Sequence, residues 1–238
     1  MLNIERETPF LIDAGNTFVK VAVKEEGGFK FALKIETETV KKGNFPFKGK
    51  VAVVSSVVPS IEEVIKSNFE KVFFVSAHLP LPLKLDYKTP ETLGADRIAA
   101  ACGFLDYGSN GIVVLAGTAV VIDVVKDGIF QGGAILPGTS LMAKVLGRFT
   151  EQLPEVEGFL NEYPGKSTAE SIMSGIGLAL AGAVDRALKI ADLNDSPVVL
   201  AGGYAEDLRK MLGYGIVDEF LIFRGLWNIY RWNKKGGA

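Results

Sequence analysis

Disulfides, a histidine-built metal centre, a bilayer-spanning run and a nucleic-acid footprint are all missing from this chain. Its one cysteine, Cys102, excludes an internal disulfide and fits a reducing compartment. Cys102 follows the alanine-rich run Ile98-Ala99-Ala100-Ala101, which reads as core packing rather than a reactive thiol. The only histidine, His78, precludes a multi-histidine metal site, and its proline-rich surroundings place it in a surface loop. A formal charge of −2 with no basic stripe leaves nucleic acid without an electrostatic footprint. The longest apolar stretch, residues 112–122, is too short to span a bilayer and is broken by Gly117 and Thr118. Residues 1–7 carry charges of both signs and lack the apolar core of a signal peptide. No membrane partner is expected, and the cytoplasm is the expected location.

What is present is enough for two modest cores: 238 residues, 48% hydrophobic and 23% charged. The most informative segment is Asp13-Ala14-Gly15-Asn16-Thr17, ending at Lys20. It follows the apolar run Pro9-Phe10-Leu11-Ile12 and leads into the alternating Phe18-Val19-Lys20-Val21-Ala22-Val23, which predicts two strands joined by a tight turn. Gly15 lets backbone amides approach an anion, and Asn16 and Thr17 add short donors. Asp13 only accepts hydrogen bonds, so beside a phosphate it needs an intervening cation, and Mg²⁺ fits that need. An ordinary hairpin turn accounts for the same residues.

The pattern returns about a hundred residues later. Ile112-Val113-Val114-Leu115-Ala116-Gly117-Thr118-Ala119 precedes Val120-Val121-Ile122-Asp123-Val124-Val125-Lys126. An ungapped alignment pairs Ala14 with Ala116, Gly15 with Gly117, Val19 with Val121, Val23 with Val125 and Lys24 with Lys126. Such a duplication predicts two similar domains, 1–108 and 109–238, with Gly108-Ser109-Asn110-Gly111 at the boundary. Two phosphate-gripping turns on domains facing across a cleft are the device of the actin, sugar-kinase and Hsp70 fold. The expected fold is therefore α/β, with two actin-like (ribonuclease H-like) domains of the acetate/sugar kinase–Hsp70–actin superfamily.

Strands are expected over 10–13, 18–23, 29–35, 51–55, 72–75, 112–116, 119–125, 129–136, 198–201 and near 220–222. Helices are expected over 59–69, 93–107, 139–149, 168–190 and from Ala205, with an amphipathic one through Trp227, Tyr230 and Trp232. Residues 236–238 should fray.

A third segment, Thr92-Leu93-Gly94-Ala95-Asp96-Arg97, opens a predicted helix. A carboxylate there suits the helix dipole, so by itself Asp96 reads as a cap. An adjacent Asp and Arg between two domains would also serve a small substrate. The Asp would take a hydroxyl proton and the Arg would clamp a carboxylate.

With these strings in this order, the chain resembles the type III pantothenate kinases over nearly its full length. The likeness extends to Ser55-Ser56-Val57-Val58-Pro59, Gly132-Gly133-Ala134-Ile135-Leu136-Pro137-Gly138, Gly202-Gly203 and Gly225-Leu226-Trp227-Asn228-Ile229-Tyr230. That family includes proteins first described as Bvg accessory factors. The resemblance implies ATP-dependent phosphorylation of pantothenate at its primary hydroxyl, the first step towards coenzyme A. It implies a cytoplasmic homodimer needing a divalent metal such as Mg²⁺ and a monovalent cation, K⁺ or NH₄⁺. By position it makes Asp13, Ala14, Gly15, Asn16, Thr17, Phe18, Val19 and Lys20 the ATP phosphate motif, with Thr118 a further ATP contact. Asp96 matches the proton acceptor. Tyr87, Gly94, Ala95, Asp96, Arg97 and Thr168 match the substrate contacts.

One position departs from the family. Where its second turn begins with an Asp that binds the monovalent cation, this chain has Leu115. Leucine offers no oxygen, and we expect it to pack with Val113 and Val120 and to weaken the cation requirement. Ala201 stands where the family often has Thr. Asp123 reads as a strand-end residue with a possible polar role. Gly165-Lys166-Ser167 mimics the end of a Walker A motif, but Leu160 occupies the required glycine position and no strand leads in. The competing readings are a catalytically weak ATP-binding or regulatory relative, favoured by Leu115, and a sugar or acetate kinase, disfavoured by Gly94-Ala95-Asp96-Arg97.

Overall fold

The computed structural model describes residues 8–236; the charged segment 1–7 and all of the fraying tail but Gly236 lie outside the described residues. Its contacts divide the chain into two compact units, residues 8–106 with 220–236, and residues 107–219.

The first unit opens with β1 (Phe10–Ala14), β2 (Phe18–Glu25) and β3 (Gly28–Glu36), an antiparallel meander. A short helix, α1 (Thr37–Lys41), leads to β4 (Gly49–Ser56), which pairs parallel with β1. A 3₁₀ turn at Pro59–Ile61 and α2 (Glu62–Lys66) then return the chain to β5 (Phe69–Phe74). The sheet order is β3-β2-β1-β4-β5. Phe10, Ile12 and Ala14 alternate into one face with Ala52 and Val54, covered by Val40, Phe45, Ile61 and Ile65. After the short strand β6 (Lys84–Leu85) comes α3 (Ala95–Phe104).

The second unit repeats this plan. It comprises β7 (Gly111–Ala116), β8 (Ala119–Lys126), β9 (Ile129–Pro137), α4 (Thr139–Phe149), α5 (Thr168–Ala191), β10 (Val198–Ala201), α6 (Ala205–Leu212) and β11 (Ile216–Val217). Its strands run in the order β11-β10-β7-β8-β9, the first unit's order over again. Ile112, Val114, Val120, Ile122, Val198 and Leu200 form a core with Ile172, Ile176, Leu180, Val184 and Leu188 of α5. α5 is long and apolar enough to cross a membrane by composition, but its i, i+4 stripe is buried in this core.

The last helix, α7 (Leu221–Lys234), groups with the first unit, whereas the sequence reading put it in the second. The reason is a close helix crossing. Gly103 of α3 and Gly225 of α7 meet so tightly that a Cβ on Gly225 would overlap the Ala99 carbonyl. Asn228 Nδ2 donates to the Cys102 carbonyl at 3.2 Å and to Asp106 Oδ1 at 2.9 Å. The strand expected near 220–222 is instead the start of α7, because Leu221, Phe223, Leu226 and Ile229 bury one helical face. The short strand of this region is β11. The helix expected over 59–69 stops early because Asn68 caps it, its Nδ2 donating to the Val64 carbonyl at 2.7 Å. Cys102 is fully buried, and burial pushes its thiol well above the ordinary range, as expected of packing. His78 is exposed in a turn.

Candidate active site

Asp13, next to last in β1, lies opposite Lys20 on β2 and beside Ser55 on β4. The next residues form a tight turn closed by Gly15 N–H donating to the Phe18 carbonyl at 3.0 Å. Asn16 and Thr17 at its tip are exposed, while Asp13 is half-buried. Burial drives the Asp13 carboxyl from 3.8 to about 6; Lys20 opposes the rise, and the Asp96 carboxylate adds to it. Two acids of this unit therefore sense one another although 83 residues separate them in the chain (96 − 13).

α3 starts with Gly94 at its N-cap and Asp96 in the first turn. Asp96 Oδ1 accepts the Arg97 N–H at 2.9 Å. That bond satisfies one of the open amides of the helix's first turn. Gly94 permits this fold-back, since a Cβ there would stand 2.5 Å from Asp96 Oδ1. Burial raises the Asp96 pKa, with the bond from Arg97 N–H, its own amide and the Arg97 charge pulling it back. A carboxylate raised towards neutrality is a better proton acceptor. Arg97 is only 7% exposed; its Nη1 reaches the Tyr87 hydroxyl at 3.5 Å, and its guanidinium lies 5.6 Å from the Tyr87 ring centroid. The structure therefore brings Tyr87, Ala95, Asp96 and Arg97 together around the start of one helix, in the same unit as the Asp13–Lys20 turn.

In the second unit the corresponding turn is one residue shorter. Ala14 pairs with Val19, but Ala116 pairs with Val120, and Gly117 N–H donates to Ala119 rather than to a residue three further on. The ungapped alignment thus misplaced Val121: the equivalent of Lys20 is Val121, and that of Val19 is Val120. The first turn's Asp13–Lys20 pair is replaced by Leu115–Val121. Leu115 shares its sheet face with Val113 and Val121, not with the expected Val120, which points into the core beside Val114 and Ala116. The cause is the two-residue period of a strand acting on a shifted register. Thr118 is exposed at the turn tip, and its carbonyl accepts Gly138 N–H at 2.9 Å. Asp123 is not a strand end: it is buried within β8, against Gly133 of β9.

Thr168 is exposed at the first position of α5. The Walker-like string before it is a capping box. Ser167 Oγ accepts Glu170 N–H at 3.2 Å, and Glu170 Oε2 accepts Lys166 N–H at 2.6 Å.

Two residues beside the first turn are not among the expected site residues. Thr37, fully buried, donates its hydroxyl to the Gly15 carbonyl at 2.7 Å and its N–H to the Thr17 carbonyl at 3.0 Å. The 22-residue separation hides that contact from any local pattern. Ser55, 1% exposed, has a hydroxyl with no hydrogen-bond partner among the described residues and stands in register with Asp13.

No group of three or more His, Cys, Asp or Glu side chains suited to a metal occurs among the described residues. The Asp13 carboxylate alone fits Mg²⁺, which needs one or two protein carboxylates beside phosphate oxygens and water. Leu115 does not fit a hard monovalent cation.

One strand order present in both units, with a glycine turn after the first strand of each, defines the class: this is the two-domain actin-like fold of ATPases and sugar kinases. A 2-dehydro-3-deoxygalactonokinase protein from Sinorhizobium meliloti superposes with a TM-score of 0.57 at 12% identity, over 94% of this chain and 98% of the other. A structure described as a Baf family transcriptional activator from Campylobacter jejuni gives 0.71 at 23% identity, over 95% and 99%. At such identities these likenesses speak for the fold. The family pattern of type III pantothenate kinase matches residues 10–189, and a type III pantothenate kinase from Aquifex aeolicus is 35% identical over 227 residues, 92% of this chain and 95% of its own. The chain belongs to the type III pantothenate kinase family, and it is a kinase.

Proposed function

We propose that this protein transfers the γ-phosphoryl group of ATP to the primary hydroxyl of pantothenate, giving 4'-phosphopantothenate, the first step of coenzyme A biosynthesis. The observation that carries the reading is the pairing, in one unit, of a phosphate-type turn at Asp13–Lys20 with a raised-pKa Asp96 beside the buried Arg97. Phosphoryl transfer asks a protein for alignment, charge neutralisation and a base, and for little covalent chemistry. Asp96 takes the hydroxyl proton. Arg97, steadied by Tyr87, holds the substrate carboxylate through its planar fork. Exposed Asn16 and Thr17 offer donors to the phosphates, and Lys20 adds charge. A divalent ion held at Asp13 would neutralise phosphate charge when bound. Thr118 serves as a further ATP contact and Thr168 as a second substrate contact.

A homodimer is part of the same reading. The outer face of α5 exposes Ser171, Gly175, Leu178, Ala179 and Gly182 at helical spacing, and a Cβ on Gly175 or Gly182 would meet nothing within 4 Å. Beside it lies an apolar groove of about 420 Å³ lined by Met142, Val145, Ile172 and Ile176. Such an open small-residue face suits a second copy of the chain. The cytoplasm is the proposed location.

A coupled assay with ATP and pantothenate, run in K⁺ and in Na⁺, tests the proposal. Turnover is expected in both salts, with less K⁺ activation than an Asp at position 115 would provide. No turnover in either salt would reject the kinase reading for this chain, and strong K⁺ activation would show that oxygens other than a 115 side chain complete the cation site.

A further inference from the structure

Backbone geometry gives the buried Thr37 a task. A trans peptide is planar, so the C=O of one residue and the N–H of the next point in opposite directions. Thr37 captures the Gly15 carbonyl with its hydroxyl at 2.7 Å and the Thr17 carbonyl with its N–H at 3.0 Å. The N–H groups of Asn16 and Phe18 are thereby aimed away from Thr37. Asn16 and Thr17 are exposed, and their N–H groups have no backbone partner among the described residues. Gly15 N–H, by contrast, is spent on closing the turn.

We propose that Thr37 is a positioning residue for nucleotide binding: by holding two carbonyls of the 15–18 turn, it presents the Asn16 amide to a phosphate. This rests on the kinase reading above and names a residue that acts through the turn, not on the reacting atoms. The hydroxyl is short, branched and 0% exposed, so it sets the turn without competing for the ligand. The second unit keeps only the main-chain half of this arrangement. Thr139, 102 residues on, also opens the helix that follows the third strand (139 − 37). The residue before it, Gly138, donates its N–H to the Thr118 carbonyl at 2.9 Å. With the turn one residue shorter, the main chain of Gly138 makes the latch, and the fully buried Thr139 hydroxyl finds no partner among the described residues.

Two measurements test this. The first compares Thr37→Val, which keeps the shape but removes the hydroxyl, with Thr37→Ser, which keeps the hydroxyl. Valine should raise the KM for ATP and the Kd of a non-hydrolysable ATP analogue roughly tenfold, leaving the pantothenate KM within about twofold, and serine should restore ATP affinity. Unchanged ATP affinity in a folded valine variant, or equal loss for both substrates, would overturn the proposal. The second uses the unmutated protein and so does not depend on a variant folding. On titration with the ATP analogue, the amide resonance of Asn16 should move downfield. Binding heat without movement of this amide would overturn the positioning role alone, whereas no binding heat at all would overturn the kinase reading beneath it.

Discussion

Asp96 and Asp13 are both half-buried acids, yet their surroundings set them different tasks. Asp96 accepts an amide hydrogen bond from Arg97 and sits beside that guanidinium, both of which hold back the rise that burial imposes, and the net upward shift makes it more basic than a surface acid. Asp96→Asn keeps shape and hydrogen bonding but removes basicity. It should lower kcat by roughly a hundredfold or more while ATP affinity holds, as measured by steady-state kinetics and calorimetry. Near-normal kcat would leave Asp96 with capping alone. Asp13 carries the larger cost. Its folded-state pKa of about 6 lies above the ordinary 3.8, so between these values the folded protein binds more protons than the unfolded chain. Stability from this group is full below pH 3.8 and lost as pH rises through 6. Above that range the ionised carboxylate costs the ligand-free fold about 2–3 kcal/mol. Asp13→Asn should therefore melt higher than the unmutated protein at pH 7.5 and lose that advantage by pH 4, with turnover abolished throughout. A lower melt at pH 7.5 would show that Asp13 is structural. The residue identities at both acids were legible in the sequence, because Asp-x-Gly-Asn-Thr and Gly-Ala-Asp-Arg are local strings. Their mutual influence was not, since it depends on β1 and α3 packing in one unit.

Among the elements, the helix pair α3 and α7 shows how a small residue can decide an architecture. α7 has the amphipathic pattern expected of a C-terminal helix, and its composition alone suits either unit. Glycine at 103 and 225 allows the two helices to touch backbone to backbone, which larger side chains would prevent. Gly225→Ala would drive a methyl group into the Ala99 carbonyl, and relief requires the helices to separate. We expect a loss of about 2–4 kcal/mol in urea unfolding, at the upper end of point-mutant effects. A change within 0.5 kcal/mol would mean that the crossing is looser than its geometry implies. Most element boundaries were readable, with α4 and β10 matching their expected spans residue for residue. The exceptions had physical causes: the apolar Phe220-Leu221-Ile222-Phe223 run fits a strand until α3 offers it a helical partner, and α1 is too short to show a period.

At the scale of the molecule, a strand order repeated in both units places a glycine turn after the first strand of each, and the open face of α5 sets the expected assembly. Light scattering at micromolar concentration should report twice 25.6 kDa, and only the monomer mass would remove the dimer proposal. Adding bulk at Gly175, as Gly175→Leu, should shift the mass towards monomer without lowering the melt, since nothing of the chain itself lies within 4 Å of that position. The sequence by itself determined the class, the family and the acids of the candidate site, because these are written in short strings whose chemistry is local. Only the tertiary structure decided the one-residue difference between the two turns, the return of α7 to the first unit and the latch from Thr37 to the 15–18 turn. Each of these is a contact between residues distant in the chain, fixed by register and close packing, and no local period carries that information.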